Sequence, residues 1–270
     1  MLQAAFCPRA AAHCIFRRPR YLPRMIRTSN PTLSPQTFQQ PVSVGEQRMT
    51  IQGAVNKTAI LLAICSITAV FTWNRFGEDA RQVVPLMIGG SIGGLIMALI
   101  TCFKKEWSAA TAPIYAVCEG LFIGGISALF NAKWPGIVMQ AAMLTFGTLF
   151  AMLAAYRSGF IRATEKFKMG VVAATGGICL MYLVGWILSM FGMNMSFLYG
   201  NGMLSIGISV VVVVVAALNL VLDFDLIEQG ASVGAPKYLE WYSGFSLLVT
   251  LVWLYIEILR LLAKLNSRRD

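Results

Sequence analysis

The chain of 270 residues is 57% apolar and 13% charged, with a mean hydropathy of +0.68. Soluble domains carry roughly twice that density of charge, so the composition excludes an ordinary soluble domain and predicts an integral membrane protein with one domain. The formal charge of +10 does not indicate a nucleic-acid partner, because the basic residues lie in a tail, in short loops and at the C-terminus rather than in one long stripe.

The first 56 residues differ in composition from the rest. Up to residue 45 they hold six arginines, no lysine and no acid, and they are rich in Pro, Ser, Thr and Gln. This predicts a disordered basic cytoplasmic tail over 1–56, or a start codon placed too early, with Met25 as the true start and 1–24 as an artefact. An organellar transit peptide is the third interpretation. Such a tail offers a contact region for a membrane-protein partner.

Apolar runs follow the tail. A helix needs ~20 apolar residues to cross the hydrocarbon; six of the runs meet that length, and the first is short but flanked by Lys57 and Arg75. The runs are continuous rather than alternating, which excludes spanning β-strands. We therefore predict an all-α bundle of seven transmembrane helices over 57–264, embedded in the lipid bilayer, with a basic C-terminal tail at 265–270. The runs are 58–74, 83–103, 109–130, 136–156, 169–191, 202–222 and 241–263.

Two overlapping GxxxG spacings occur in GGSIGG at 89–94, and Gly120 with Gly124 repeats the spacing in the third run. Small residues at this spacing let helix backbones approach each other closely. We interpret them as an intramolecular packing face rather than a dimer seam, and we expect a monomer or a weak oligomer.

The basic residues also predict the orientation, because cytoplasmic loops are enriched in Lys and Arg. With the N-terminus in the cytoplasm, the inner segments hold fifteen of the twenty-two Lys and Arg residues and the outer segments hold seven. We therefore expect a multi-pass protein of the bacterial inner membrane with a cytoplasmic N-terminus. The last helix opposes this, because its end carries Arg260, Lys264, Arg268 and Arg269 to the outer side, so one re-entrant or miscounted span is the alternative.

The only histidine is His13, in the tail. The spans therefore cannot contain a Ser–His protease, an HExxH metalloprotease or a histidine-ligated metal. The six cysteines have no CxxC spacing, and no Walker loop or dinucleotide fingerprint occurs. We expect no enzymatic activity and no cofactor.

Carboxyl groups are the remaining candidates for function. An ionisable group at the centre of a span costs ~2.5–3.5 kcal/mol and faces the bundle interior or water. Glu119 lies in the middle of the third run without a local partner. Glu257 lies in the seventh run, three residues before Arg260, at a spacing that allows an ion pair on one helical face.

The third acidic site ends the sixth run, in ALNLVLDFDLIEQG at 217–230. Asn219 precedes Asp223 by one helical turn. Asp223 and Asp225 lie about 200° apart around a helix, so only one of them can face the interior. We predict that Asp223 turns inward and that Asp225 and Glu228 are solvated loop charges.

A carboxyl buried without a cation takes up a proton more readily than one in water, and two carboxyls in one site titrate as a pair. When ionised, such a site can bind Ca²⁺ through carboxylate and carbonyl oxygens. The acids therefore predict a pH-gated cation pathway through the bundle, with Asp223 and Glu257 as transient calcium ligands.

Several stretches resemble the Bax inhibitor family of membrane proteins, also called the transmembrane Bax inhibitor motif or lifeguard family: LDFDLIEQG, EGLFIGGISALF and SGFSLLVTLVWLYIEILRLL. SNPTLS, TEKFKMGVVAATGG and GAPKYLEWY are similar to a bacterial branch of it, and the likeness covers 27–268. The resemblance implies seven helices with the last one central, a calcium leak gated by pH, and a role in stress or cell-death responses in eukaryotic members.

In that family two aspartates carry the gate. The resemblance places Asp223 at the first position and Thr250 at the second, so the second carboxylate is absent here. Glu257 lies seven residues beyond Thr250, roughly 10 Å along a helix. Either Glu257 or Glu119 replaces the missing carboxylate, or this branch does not gate in that way.

Three functional hypotheses follow. The first is a pH-sensitive calcium or cation leak channel that uses the intramembrane carboxylates. The alternative is a non-conducting interaction protein whose tail modulates a membrane protease or a stress response. A proton-coupled transporter using Glu119 is the third.

Overall fold

A computed structural model describes residues 48–78, 80–192, 200 and 202–268. This part of the chain contains seven long helices and no strand, and each helix is long and apolar enough to cross a membrane. The predicted all-α bundle of seven spans is thus confirmed. The helices are α1 (Ile51–Glu78), α2 (Ala80–Phe103), α3 (Ser108–Lys133), α4 (Ile137–Arg157), α5 (Glu165–Met190), α6 (Met203–Ser232) and α7 (Leu239–Ser267).

The predicted tail and its alternative start at Met25 lie mostly outside the described residues. Where the description begins, Arg48 forms an isolated antiparallel bridge with Pro236, and α1 starts at Ile51 rather than near residue 57. The earlier start is stabilised by Thr50, whose hydroxyl accepts a hydrogen bond from the Gly53 amide at 2.9 Å. A side-chain oxygen that caps the first turn satisfies a donor that the helix itself cannot.

The sixth span also differs from the prediction. Helix α6 does not end at residue 222 but continues to Ser232. Asp225 and Glu228 are therefore helical residues, and the prediction that they are loop charges is wrong, whereas Glu228 is exposed as expected. The helix continues because both carboxyls find partners on neighbouring helices, which are described below.

The last helix is central, as the resemblance implied. It packs against α1, α3, α4 and α6, and 61% of its membrane-spanning stretch is buried, against 11% for α5. Its side chains Tyr242, Phe245, Leu248 and Leu254 are all fully buried. Helix α7 thus forms the core of the bundle, whereas α5 lies at its edge.

Helices α1, α2 and α3 pack through glycines. A Cβ atom at Gly120 or Gly124 would collide with the α1 backbone, at Cys65 and Ala69 respectively. A Cβ atom at Gly90 would lie 2.6 Å from the Cys118 carbonyl oxygen of α3. These contacts confirm that the glycine spacings serve packing within the chain, as GxxxG positions do when backbones come close.

The helix ends lie on two faces. On the first, the Met49 amide donates to the Ala235 carbonyl oxygen at 2.7 Å, and the Ser108 hydroxyl donates to the Tyr238 carbonyl oxygen at 3.0 Å. The start of α1, the α2–α3 turn and the α6–α7 turn thus lie together. We call this the tail face. The opposite end is the C-terminal face, where the Arg268 guanidinium of α7 contacts the Met203 sulfur of α6 at 2.9 Å.

Candidate functional site

One face of α5 carries a polar side chain every seven residues, at Lys168, Thr175 and Tyr182. Seven residues are two helical turns, so the three side chains lie in a line about 10 Å apart. Each meets a polar side chain of α6 or α7. Two further contacts join α6 to α7 directly. We call these five contacts the polar seam: Lys168–Asp225, Thr175–Asn219, Tyr182–Glu257, Thr250–Asp223 and Lys264–Ser209.

Asp223 is fully buried at the contact between α6 and α7. The Thr250 hydroxyl donates a hydrogen bond to its Oδ2 atom at 2.7 Å. Helices α6 and α7 run antiparallel, so a step forward along α7 corresponds to an equal step back along α6. Lys264 lies as far after Thr250 as Ser209 lies before Asp223, so both contacts have the same register. The two positions that the resemblance pairs as the gate therefore face each other, with one carboxyl and one hydroxyl.

Asn219 extends this polar contact by one turn of α6. It is buried, and its amide nitrogen donates to the Thr175 hydroxyl at 2.8 Å and to the Val215 carbonyl oxygen at 2.9 Å. Asn219 thus connects α5 to the same side of α6 on which Asp223 lies.

Glu257 has partners of its own. It is 1% exposed, its two oxygens accept from the Tyr182 hydroxyl at 3.1 and 3.0 Å, and Oε1 also accepts from Arg260 at 3.1 Å. The guanidinium lies 5.7 Å from the centre of the Tyr182 ring. The predicted ion pair is confirmed. Because Arg260 balances the charge of Glu257, the carboxylate is compensated where it lies, about 10 Å along α7 from Thr250.

Asp225 points toward α5 rather than α7, as expected from its position around the helix. Lys168 forms a salt bridge with it, and the two side chains are 3% and 16% exposed. Gln229 donates to the same carboxyl at 2.6 Å, and the Tyr156 hydroxyl of α4 donates to Glu228 at 2.6 Å. These contacts join α4, α5 and α6 at the tail face.

Glu119 lies apart from the polar seam, among α1, α2 and α3. Tyr115, one turn earlier on α3, is hydrogen-bonded to its carboxyl. A Cβ atom at Gly94 of α2 would lie 3.2 Å from its Oε2 atom. Five of the six predicted site residues thus belong to or adjoin the polar seam, and Glu119 does not.

Sequence reasoning missed three residues with important contacts. Lys168 and Lys264 are seam members, and the seven-residue spacing on α5 was the signal that could have revealed the first. Glu240 is a buried carboxyl that accepts from the Thr50 amide at 3.0 Å and from its hydroxyl at 3.1 Å, so it caps α1 from the start of α7. A negatively charged side chain stabilises a helix N-terminus, because the positive end of the helix dipole lies there.

Buried apolar side chains lie between two of the polar contacts of the seam. Between the level of Asp223 and that of Lys264, Ala216 of α6 and Leu254 of α7 are fully buried and belong to the hydrophobic core. Among the described residues, no group of three or more Asp, Glu, His or Cys side chains could hold a metal ion.

The fold and the seam define a class: a multi-pass helical membrane protein with hydrogen-bonded polar side chains buried between its last three helices. The family follows from comparison. The family model described as Bax inhibitor 1 like matches residues 30–267, and the chain belongs to that family. Searches of the curated proteins and of the solved structures found no significant match.

Proposed function

We propose that the protein is a pH-sensitive calcium or cation leak channel in which Asp223 is the gate. The observation that carries the proposal is a fully buried carboxyl, within a membrane-spanning helix, hydrogen-bonded by Thr250. Ionisable groups inside membrane helices are costly, and in membrane proteins they commonly mark ion or proton pathways. An ionised Asp223 attracts a cation between α6 and α7, and a protonated Asp223 does not.

Threonine at position 250 changes how such a gate responds to pH. A hydroxyl of threonine does not ionise, so the contact between α6 and α7 holds one titrating group instead of two. A pair of carboxyls would titrate in coupled steps. We therefore expect the flux to follow the release of about one proton, with a shallow dependence on pH.

The moving element in this proposal is α5. It is the least buried span, with 11% of its membrane stretch buried, and polar contacts from Lys168, Thr175 and Tyr182 attach it to α6 and α7. Lipid provides no hydrophobic force between helices, so association there rests on close packing and hydrogen bonds. Helix α5 is therefore attached to α6 and α7 by these polar contacts more than by burial.

We also propose that the tail face is cytoplasmic and that the membrane is the bacterial inner membrane. The excess of Lys and Arg on the tail side supports this orientation. The cations at the end of α7 oppose it less than their number suggests. Arg260 pairs with Glu257, and Lys264 donates to the Ser209 hydroxyl at 2.8 Å, so both have partners within the bundle.

The test is calcium flux into liposomes that contain the purified full-length protein. We expect a flux that rises between about pH 6 and pH 8, a range in which buried carboxyls can titrate. Asp223→Asn should remove this pH response, because the amide mimics a permanently protonated carboxyl. Glu119→Gln is the control: it alters a carboxyl outside the seam and should keep the response. A wild-type flux equal to that of empty liposomes at every pH would refute the proposal.

Two observations favour the second candidate, a non-conducting interaction protein. Ala216 and Leu254 place buried apolar side chains between the polar contacts of the seam, and the chain enters the bundle where Arg48 bridges to Pro236. A protein of this kind presents its tail to a membrane protease or a stress-response partner. Deleting residues 1–45 should then abolish capture of that partner, whereas unchanged capture would exclude a role for the tail.

A further inference from the structure

A crevice of about 660 Å³ lies between α1 and α4, with α3 and α7 forming its floor. At its edges are Val70, Met139 and Phe146, which are 58%, 66% and 43% exposed. Large apolar side chains exposed on a membrane-spanning surface face hydrocarbon. The crevice therefore opens sideways toward the bilayer.

The wall of the crevice suits hydrocarbon. Three of its four hydroxyl groups are engaged within the protein: Ser127 and Tyr255 share a hydrogen bond of 2.6 Å, and Thr145 donates to the Ala141 carbonyl oxygen at 2.8 Å. The fourth belongs to Ser66, an exposed residue. A polar group satisfied in this way can be covered by an apolar ligand at little cost.

The length of the crevice matches one leaflet. Along α1 its lining runs from Leu62 to Asn74, which is about 18 Å at the rise of an α-helix. The hydrocarbon of one leaflet is about 15 Å thick, half of the bilayer core. An acyl chain extended along the crevice would therefore reach from the membrane surface to the midplane.

One end of the crevice is polar and lies at the C-terminal face. Asn74 and Asn131 line it there, and Asn131 accepts from the Gly136 amide at 2.9 Å. Arg75 and Lys133 follow these asparagines closely in the sequence. Amide groups and nearby cations at the membrane surface suit a phosphate-bearing headgroup.

The volume of the crevice, about 660 Å³, falls within the range of ~300–1,000 Å³ typical of small-ligand sites. Together with its length of about one leaflet and its polar end, this volume favours a single lipid acyl chain as the occupant.

We infer that this crevice binds one phospholipid of the leaflet at the C-terminal face. One acyl chain lies in the crevice, and the phosphate lies at the end formed by Asn74 and Asn131. The inference is independent of ion conduction, since the crevice lies away from the polar seam.

The first experiment compares Ala142→Phe with Ala151→Phe by native mass spectrometry after extensive delipidation in detergent. Ala142 lines the crevice, whereas Ala151 is an exposed residue of the same helix outside it. We expect the wild type and Ala151→Phe to retain one phospholipid and Ala142→Phe to lose it. Equal retention in all three proteins, or a wild type without retained lipid, would overturn the inference. So would a wild-type dimer that only Ala142→Phe dissociates.

The second experiment uses the wild-type protein alone, so it does not depend on how a variant folds. Liposomes are made with a phospholipid that carries a diazirine in its acyl chain, and the labelled peptides are mapped after irradiation. We expect labelling to be at least several-fold stronger on 62–74 and 138–146 than on the exposed surface of α5. Uniform labelling of all lipid-facing helices would contradict a specific site.

Discussion

The two sides of the bundle are held together by different forces. On the side of α1, α2 and α3, glycines such as Gly120 and Gly124 bring backbones into direct contact. On the side of α5, α6 and α7, hydrogen bonds and ion pairs between side chains are added to the apolar packing. Close packing does not change with pH, whereas the polar contacts depend on the charge of their carboxyls. The comparison suggests a rigid side and a switchable side.

The comparison also distinguishes Glu119 from Asp223 as the candidate gate, which the sequence alone could not do. Glu119 lies on the glycine-packed side, with Tyr115 as its partner. Asp223 lies on the polar side, between the central helix and α6. Only the second position couples a titrating group to helices that are joined by polar contacts, which is why we assign the gate to Asp223.

The largest effect is expected from Gly124→Leu, which breaks the glycine-packed side. The new side chain would collide with the α1 backbone at Ala69, and overpacking costs ~1–3 kcal/mol even where side chains can adjust. Here the α1 backbone must move, so we expect a destabilisation at or above the upper end of that range and a large loss of folded protein. Thermal unfolding in detergent measures this loss of stability. Gly147→Leu, where a Cβ atom meets nothing within 4 Å, should be close to wild type.

A somewhat smaller effect is expected from Lys168→Met, which breaks the polar side at the tail face. The change leaves Asp225 without its cation, and losing one partner of a buried pair costs about 3–5 kcal/mol. We place the loss near the lower end, because Asp225 is 16% exposed.

The proposed function adds a second readout for this variant. Release of α5 should raise the calcium leak, so flux and stability should change in opposite directions. Lys166→Met removes an exposed lysine two residues away and should change neither quantity. A Lys168→Met protein with wild-type flux would argue against α5 as the moving element.

The last and finest effect concerns the steepness of the pH response rather than stability, and its variant is Thr250→Asp. It places a second carboxyl opposite Asp223 and thus creates the pair that the family resemblance implies. Two carboxyls in one site release their protons in coupled steps, so the flux should depend on about two protons instead of about one. The slope of flux against pH measures this. Thr250→Asn, which adds a side chain of similar size without a titrating group, should not steepen the slope.

The sequence by itself determined much of the fold. Continuous apolar runs of about 20 residues specify membrane spans, because insertion depends on the local free energy of transfer. The glycine spacings predicted close packing, and the i,i+3 spacing predicted the ion pair of Glu257 with Arg260. The register that placed Thr250 opposite Asp223 came from the family resemblance, and the geometry agrees with it.

The tertiary structure decided which polar groups meet. It extended α6 past residue 222, because Lys168 and Tyr156 on other helices supply partners for Asp225 and Glu228. It also separated Glu119 from the polar seam. A sequence gives the position of a side chain around its own helix, but the partner of a buried carboxyl depends on the rotation and depth of neighbouring helices. That rotation and depth are set by the packing of the whole bundle, and the sequence of one span does not specify them.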